Sequence, residues 1–195
     1  MTEPLDFIKQ ATSPQPLPLV PEIRLFLATE LVPLWHKTEE ELEQEGVPPP
    51  YWAFAWAGGQ ALARYILDHG LNVASVLDFG SGSGLVAIAA AKAGAQKVLA
   101  ADIDKFAAAA IAVNADENGV QIDITTDDVI GRDGNWDVIL IGDMCYERPL
   151  AERLMAWLVE RVRAGATVLM GDPGRTYFPK SGVEKLATYR VLTTR

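Results

Sequence analysis

Residues 76–84 read Val76-Leu77-Asp78-Phe79-Gly80-Ser81-Gly82-Ser83-Gly84, an apolar run that breaks into three alternating glycines. A short strand that turns through a glycine loop into a helix is the opening step of a nucleotide-binding α/β fold. Glycine permits positive φ and lets a ligand approach the backbone with no Cβ between them. The dinucleotide fingerprint G-x-G-x-x-G places its third glycine three residues after the second. Here the spacing is G-x-G-x-G, and Leu85 fills the expected position. Asp78, two residues ahead of Gly80, is a poor neighbour for a pyrophosphate, which wants bare N–H groups. The loop suits a nucleotide-like ligand with a cationic end.

Downstream the chain alternates short apolar runs with helical stretches. Strands are expected near 75–79, 97–102, 121–126, 136–141, 166–171 and 189–193, and helices near 84–93, 105–118, 149–163 and 182–188. Continuously apolar strands separated by helices mean a doubly wound parallel sheet covered on both faces, because such strands have no side fit for water. The second strand ends in Asp102, about 20 residues beyond Gly82, where these folds place the acceptor for ribose hydroxyls. A carboxylate accepts both hydroxyl protons at once. Asp104 is a weaker candidate. At the third strand end, Asp127 and Asp128 are either turn residues or acceptors for an exocyclic amine, and Asp128 is the candidate carried forward.

Upstream, residues 1–50 read as an extension and 51–195 as the main domain. Pro14, Pro16, Pro18 and Pro21 forbid a continuous helix, and Thr38 followed by Glu41 opens an acidic helix that Pro48-Pro49-Pro50 ends. Tyr51, Trp52 and Trp56 then lead to Gly58-Gly59 and a helix near 60–68 with Leu62, Tyr65 and Ile66 on one face. The chain is 49% hydrophobic and 22% charged, which excludes disorder and supports one buried core in 195 residues. Its net charge is −9, with no basic stripe, so a phosphate backbone is not an expected partner. Nine of the 17 basic residues follow residue 147. One cysteine, Cys145, and two histidines, His36 and His69, make a disulfide or a metal centre unexpected. No apolar run reaches membrane-spanning length, and a cytoplasmic protein is expected.

Asp78-x-Gly80-x-Gly82-x-Gly84 with Asp102 resembles the S-adenosylmethionine site of the seven-strand, class I methyltransferases. Five further segments resemble the electron-transfer-flavoprotein β-subunit lysine methyltransferase family. They are Pro21-Glu22-Ile23-Arg24-Leu25, Pro50-Tyr51-Trp52-Ala53, Trp56 to Tyr65, Gly142-Asp143-Met144-Cys145-Tyr146 and Gly171-Asp172-Pro173-Gly174-Arg175. The resemblance implies a Rossmann-like fold, S-adenosylmethionine as cofactor, and lysine methylation of the flavoprotein β subunit by a chain for which a monomer is favoured. It implies that Trp56, Asp78, Gly80, Ser81, Gly82, Asp102 and Asp128 face the cofactor. Asp143 and Tyr146, from the family's Asp-x-x-Tyr/Phe motif, would be catalytic, Asp143 orienting the amine and Tyr146 walling its channel. Trp52, Asp172 and Arg175 would meet the substrate, with Arg175 holding a substrate carboxylate. A ribosomal-protein or small-molecule methyltransferase and a silent cofactor-binding module are the alternatives. Six strands rather than seven are countable, so the seventh is expected to be absent from this chain.

Overall fold

In the computed structural model, which describes residues 4–28 and 49–192, the Asp78 segment is the central strand of a five-stranded parallel sheet. The elements run α1 (Pro4–Ala11), β1 (Ser13–Pro16), β2 (Arg24–Leu27), a 3-10 turn over Tyr51–Ala53, α2 (Ala57–His69), β3 (Ser75–Phe79), α3 (Leu85–Lys92), β4 (Lys97–Ala101), α4 (Lys105–Glu117), β5 (Asp123–Thr125), β6 (Val138–Gly142), α5 (Arg148–Arg163) and β7 (Thr167–Gly171). The sheet order is β5-β4-β3-β6-β7. Asp78 sits opposite Ala100 on β4 and Leu140 on β6. The chain winds one way from β3 to β5 and the other way from β6 to β7, so a crevice opens at the carboxyl ends of β3 and β6.

Residues Leu85–Ala90 of α3 are all buried, as a helix with no polar face requires. Val86, Ala87 and Ala90 pack on the sheet with Val76, Val98 and Leu140. Leu85, Ile88 and Ala89 pack under Leu17, Val20, Ile23, Leu25 and Leu27 of the β1–β2 hairpin. The hairpin is antiparallel, and β1 tolerates Pro14 and Pro16 because an edge strand can forgo N–H donors. Asn114 of α4 and Asn118, which caps that helix, satisfy the outer edge of β2. Phe26 N–H donates to Asn114 Oδ1 at 2.7 Å and Arg24 N–H to Asn118 Oδ1 at 3.1 Å. Asn114 Nδ2 also donates to Ser83 O at 2.7 Å, tying the hairpin to the glycine loop.

The expected strands and helices appear with ends moved by no more than three residues, apart from the last two. Residues 182–192 form neither the helix expected at 182–188 nor the strand expected at 189–193, of which 193 lies outside the described residues. Val183, Leu186 and Leu192 are exposed. A seven-residue helix with no buried face cannot offset its nucleation cost, and a strand without a hydrogen-bonded neighbour is not a strand. The sheet therefore has five strands among the described residues, not six. The acidic helix from Thr38 and His36 lie outside the described residues.

Candidate functional site

The glycine loop is built on three left-handed residues, with φ of +65° at Gly80, +53° at Gly82 and +83° at Gly84. Gly80 and Ser81 N–H groups donate to Ala101 O at 2.9 and 3.1 Å, fastening the loop to the end of β4. Asp78 does not reach across the loop to the main cavity. Its Oδ2 accepts from Ser81 Oγ at 2.6 Å and from Ala87 N–H at 3.0 Å, bracing the loop against the first turn of α3. Burial pushes the Asp78 pKa up to about 7, against the lowering effect of the Ser81 and Ala87 hydrogen bonds.

The folded Asp78 carboxyl keeps its proton to higher pH than the unfolded one, so the folded state binds more protons between the two values. Its contribution makes stability fall as pH rises from about 4 to about 7, and the full cost is present above 7. Asp78→Asn, which carries no charge at any pH, is expected to flatten that decline. Thermal denaturation of the ligand-free protein at pH 5 and pH 8 measures it. The variant should gain more relative to wild type at pH 8 than at pH 5, and an equal change at both pH values would contradict the assignment.

A cavity of about 760 Å³ lies over the crevice. Asp102 lines it from the end of β4. Its Oδ2 accepts from Gly82 N–H at 2.9 Å and its Oδ1 from Asp104 N–H at 3.0 Å, and burial raises its pKa. Asp104 accepts from Phe106 N–H at 2.8 Å and caps α4. Ile103, between the two acids, is 77% exposed and lines the cavity together with Val129 and Ile130. An apolar side chain so open to water beside a carboxylate suits a flat apolar ring whose attached sugar meets the acid. Asp128, expected as an amine acceptor, is paired with Arg153 Nη2 at 2.7 Å and accepts from Ile130 N–H at 3.0 Å. The Arg153 hydrogen bond holds its pKa low.

Asp143 follows β6 at the other side of the crevice. It is 7% exposed and has φ +60°, a left-handed conformation that Asp tolerates better than most residues. Its Oδ2 accepts from Gly59 N–H at 2.8 Å in the first turn of α2. Its Oδ1 accepts from Arg175 Nη2 at 3.0 Å and Nε at 3.3 Å. Burial raises its pKa, and Gly59 and then Arg175 oppose the rise. Arg175, expected to hold a substrate carboxylate, donates to Asp143 through Nε and Nη2. Asp172 Oδ1 accepts from Gly174 and Arg175 N–H, each at 2.7 Å, and builds the turn that aims Arg175.

Trp56 and Tyr146 line the cavity, 41% and 43% exposed. Tyr51, absent from the sequence-based candidates, bridges them with ring centroids 6.1 Å from Trp56 and 5.8 Å from Tyr146. Its signal was present in the aromatic run 51–56. Trp52 reaches the lining too but is 1% exposed, packed edge-on against Phe7 of α1. It is floor rather than rim. Met144 fills the space where a Cβ of Gly80 would stand. Cys145 is buried, its pKa pushed up to about 11 by burial, and His69 stacks on Tyr65. Among the described residues no cluster of His, Cys, Asp or Glu is able to hold a metal ion.

Gly80 and Gly82 line the cavity beside Asp102, and a Cβ at Gly82 would meet no protein atom closer than 3.9 Å, so backbone is open to a ligand there. The apolar lining, the ribose-directed acid and an acidic, aromatic far end fit S-adenosylmethionine, whose sulfonium such groups tolerate. The sheet order and this site are those of a class I S-adenosylmethionine-dependent methyltransferase. Residues 60–166 match the family described as ribosomal protein L11 methyltransferase (PrmA). Over 182 residues the chain is 44% identical to the electron transfer flavoprotein beta subunit lysine methyltransferase of Xenopus laevis, covering 91% of this chain and 73% of that one. It is 38% identical to the Homo sapiens protein of the same name (89% and 69%) and 35% identical to the Caenorhabditis elegans homolog (91% and 78%). The chain belongs to the electron transfer flavoprotein beta subunit lysine methyltransferase family.

Proposed function

We propose that the protein transfers methyl groups from S-adenosylmethionine to lysine side chains of the electron transfer flavoprotein β subunit. The observation that carries this reading is the meeting in one cavity of Asp102 and the glycine loop on one side with Asp143 and an open aromatic rim on the other. When bound, S-adenosylmethionine supplies a methyl carbon made electrophilic by its sulfonium. Asp102 accepts from the ribose hydroxyls, and Ile103 with Val129 encloses the adenine. Tyr51, Trp56 and Tyr146 surround the aliphatic stem of the incoming lysine, ring faces favouring the cation on its way in.

A free lysine with pKa about 10.4 is almost wholly protonated near neutral pH and has no lone pair to give. Burial in the channel favours the neutral amine, and its proton leaves to water. Asp143 then accepts a hydrogen bond from the amine and aims the nitrogen along the line of displacement, where the N–C bond forms as the S–C bond breaks. Positioning of this kind supplies most of the acceleration available to an in-line transfer. No helix among the described residues is long and apolar enough to cross a membrane. The lone cysteine is buried and unpaired, which suits a reducing compartment, and we place the protein in the cytoplasm.

Labelled S-adenosylmethionine offered with the β subunit, and separately with a cell lysate, tests the reading. The label is expected on lysine of the β subunit. A ribosomal protein or a small amine as the labelled species, with the β subunit blank, would replace it. Gly82→Val puts a branched side chain at φ +53° on the face open to the cofactor. Calorimetry is expected to show affinity for S-adenosylmethionine reduced by about 100-fold, equivalent to roughly 3 kcal/mol of strain and overlap, and unchanged affinity would refute the placement.

A further inference from the structure

Two segments far apart in the sequence, Trp56-Ala57-Gly58-Gly59 and Asp172-Pro173-Gly174-Arg175, converge on one carboxylate. Gly59 N–H reaches Asp143 Oδ2 at 2.8 Å, and Arg175 reaches Oδ1 through Nη2 at 3.0 Å. Arg175 is held from two further sides. Its own N–H donates to Asp172 Oδ1 at 2.7 Å, and its guanidinium lies over the Trp56 ring, Cζ 5.6 Å from the centroid. A side chain fixed by a carboxylate, an aromatic face and its own turn is part of the wall, yet it remains at the cavity lining.

A bare carboxylate beside a lysine stabilises the ammonium and so holds the form that cannot accept a methyl group. A guanidinium on one oxygen removes that bias, because the pair has no net charge. The carboxylate meanwhile keeps acceptor capacity, since it offers about four lone-pair directions. We propose that Arg175 is a positioning residue for methyl transfer, its guanidinium balancing the charge of Asp143 so that the carboxylate orients a neutral lysine amine and does not trap an ammonium. This rests on the reading of the cavity as a lysine site.

Among the described residues, the groups facing Asp143 are few. Arg175 and Asp172 approach from the segment after β7, and Asp172 pushes the Asp143 pKa up where Arg175 holds it down. Tyr146 and Cys145 are on its own loop. The first turn of α2 carries no acidic residue and offers Gly59 N–H, and Asp78 borders the small recess that Asp143 shares with the glycine loop. Removing the guanidinium leaves burial and Asp172 acting together, so the protonated carboxyl and the protonated lysine are both favoured. Both effects move activity toward alkaline pH.

Arg175→Gln and Arg175→Lys in the full chain test this with two readouts. In the first, carboxyl carbon NMR follows the titration of Asp143 with no acceptor present, the resonance being assigned with Asp143→Asn. Loss of an adjacent opposite charge should move the midpoint up by about one pH unit or more in Arg175→Gln, while Arg175→Lys stays close to wild type. In the second, kcat is followed against pH with the β subunit as acceptor. The rising limb should move alkaline by about the same amount in Arg175→Gln, with activity recovering at high pH, and Arg175→Lys should restore the wild-type limb. An unmoved Asp143 midpoint, or a kcat loss equal at every pH, overturns the proposal. So does a rise in KM alone, the mark of a residue that grips substrate. Should the wild-type enzyme methylate some other acceptor, the Asp143 titration still decides, so failure of the proposed substrate and failure of this inference are told apart.

Discussion

Asp143→Asn is expected to lower the rate of methyl transfer by about 100-fold or more, the size of effect that follows when a reacting group loses its alignment. The two oxygens of Asp143 face donors on opposite sides, Gly59 N–H at 2.8 Å and the Arg175 guanidinium at 3.0 Å. Asparagine has one acceptor and one donor end, so either orientation of its amide sets an NH₂ group against another donor. Turning the amide away leaves Gly59 or Arg175 unpaired at a cost of about 1–3 kcal/mol. Backbone strain does not enter, because asparagine accepts φ near +60° about as well as aspartate. The loss therefore belongs to the side chain. Steady-state kinetics with the β subunit and calorimetry with S-adenosylmethionine check it together. Cofactor affinity should change by less than about threefold, since Asp102 and the glycine loop hold the nucleoside end. A variant that keeps wild-type kcat would remove Asp143 from the reaction.

Gly58→Ala is expected to damage both the fold and the site. A Cβ at Gly58 would overlap the Gly171 carbonyl and lie 2.7 Å from Asp143 Oδ2, and a Cβ at Gly171 would overlap the Gly58 carbonyl in return. Both obstacles are fixed parts of the main chain or of the site, so α2 must move away from β7. Overpacking of this kind costs about 1–3 kcal/mol. Alanine recovers up to about 1 kcal/mol through its helix propensity. A melting temperature lower by about 2–8 °C follows for a chain of this length, and activity should fall further than stability because the moving turn carries the Asp143 partner. Gly59→Ala is the control for stability. Its Cβ would meet only Val86 Cγ2 at 3.8 Å, an ordinary contact, and its melting temperature should match or slightly exceed wild type. Equal melting temperatures for the two variants would show that the α2–β7 contact has slack.

The parallel sheet was legible because β6 is apolar along its length, β3 is apolar but for Ser75 and Asp78, and the glycine spacing at 80–84 has few structural uses. Asp102 and Asp143 were legible for a related reason, since acids at the ends of buried strands face the crevice. The partners of those acids were not. That Arg175 would turn back onto Asp143 depends on the Asx turn of Asp172 and on the ring of Trp56, two contacts separated by more than 100 residues in sequence. The same limit hid the employment of Asp128 by Arg153 and of Asp78 by Ser81, because a lone acid in a sequence does not declare which donor will reach it first. The tail failed differently. Residues 182–192 carry local helix and strand preferences, but with Val183, Leu186 and Leu192 left in water there is no burial to convert preference into structure.

The apolar helix α3, enclosed between sheet and hairpin, sets an order of events during synthesis. Leu17, Val20, Ile23 and Leu25 leave the ribosome early, yet the residues they cover, Leu85, Ile88 and Ala89, are made some sixty positions later. At ordinary elongation rates of about 5–20 residues per second the hairpin waits for about 3–12 s with its apolar side unclaimed. The hairpin therefore depends on residues made well after it, and chaperone demand should be greatest in that interval, before the cavity exists.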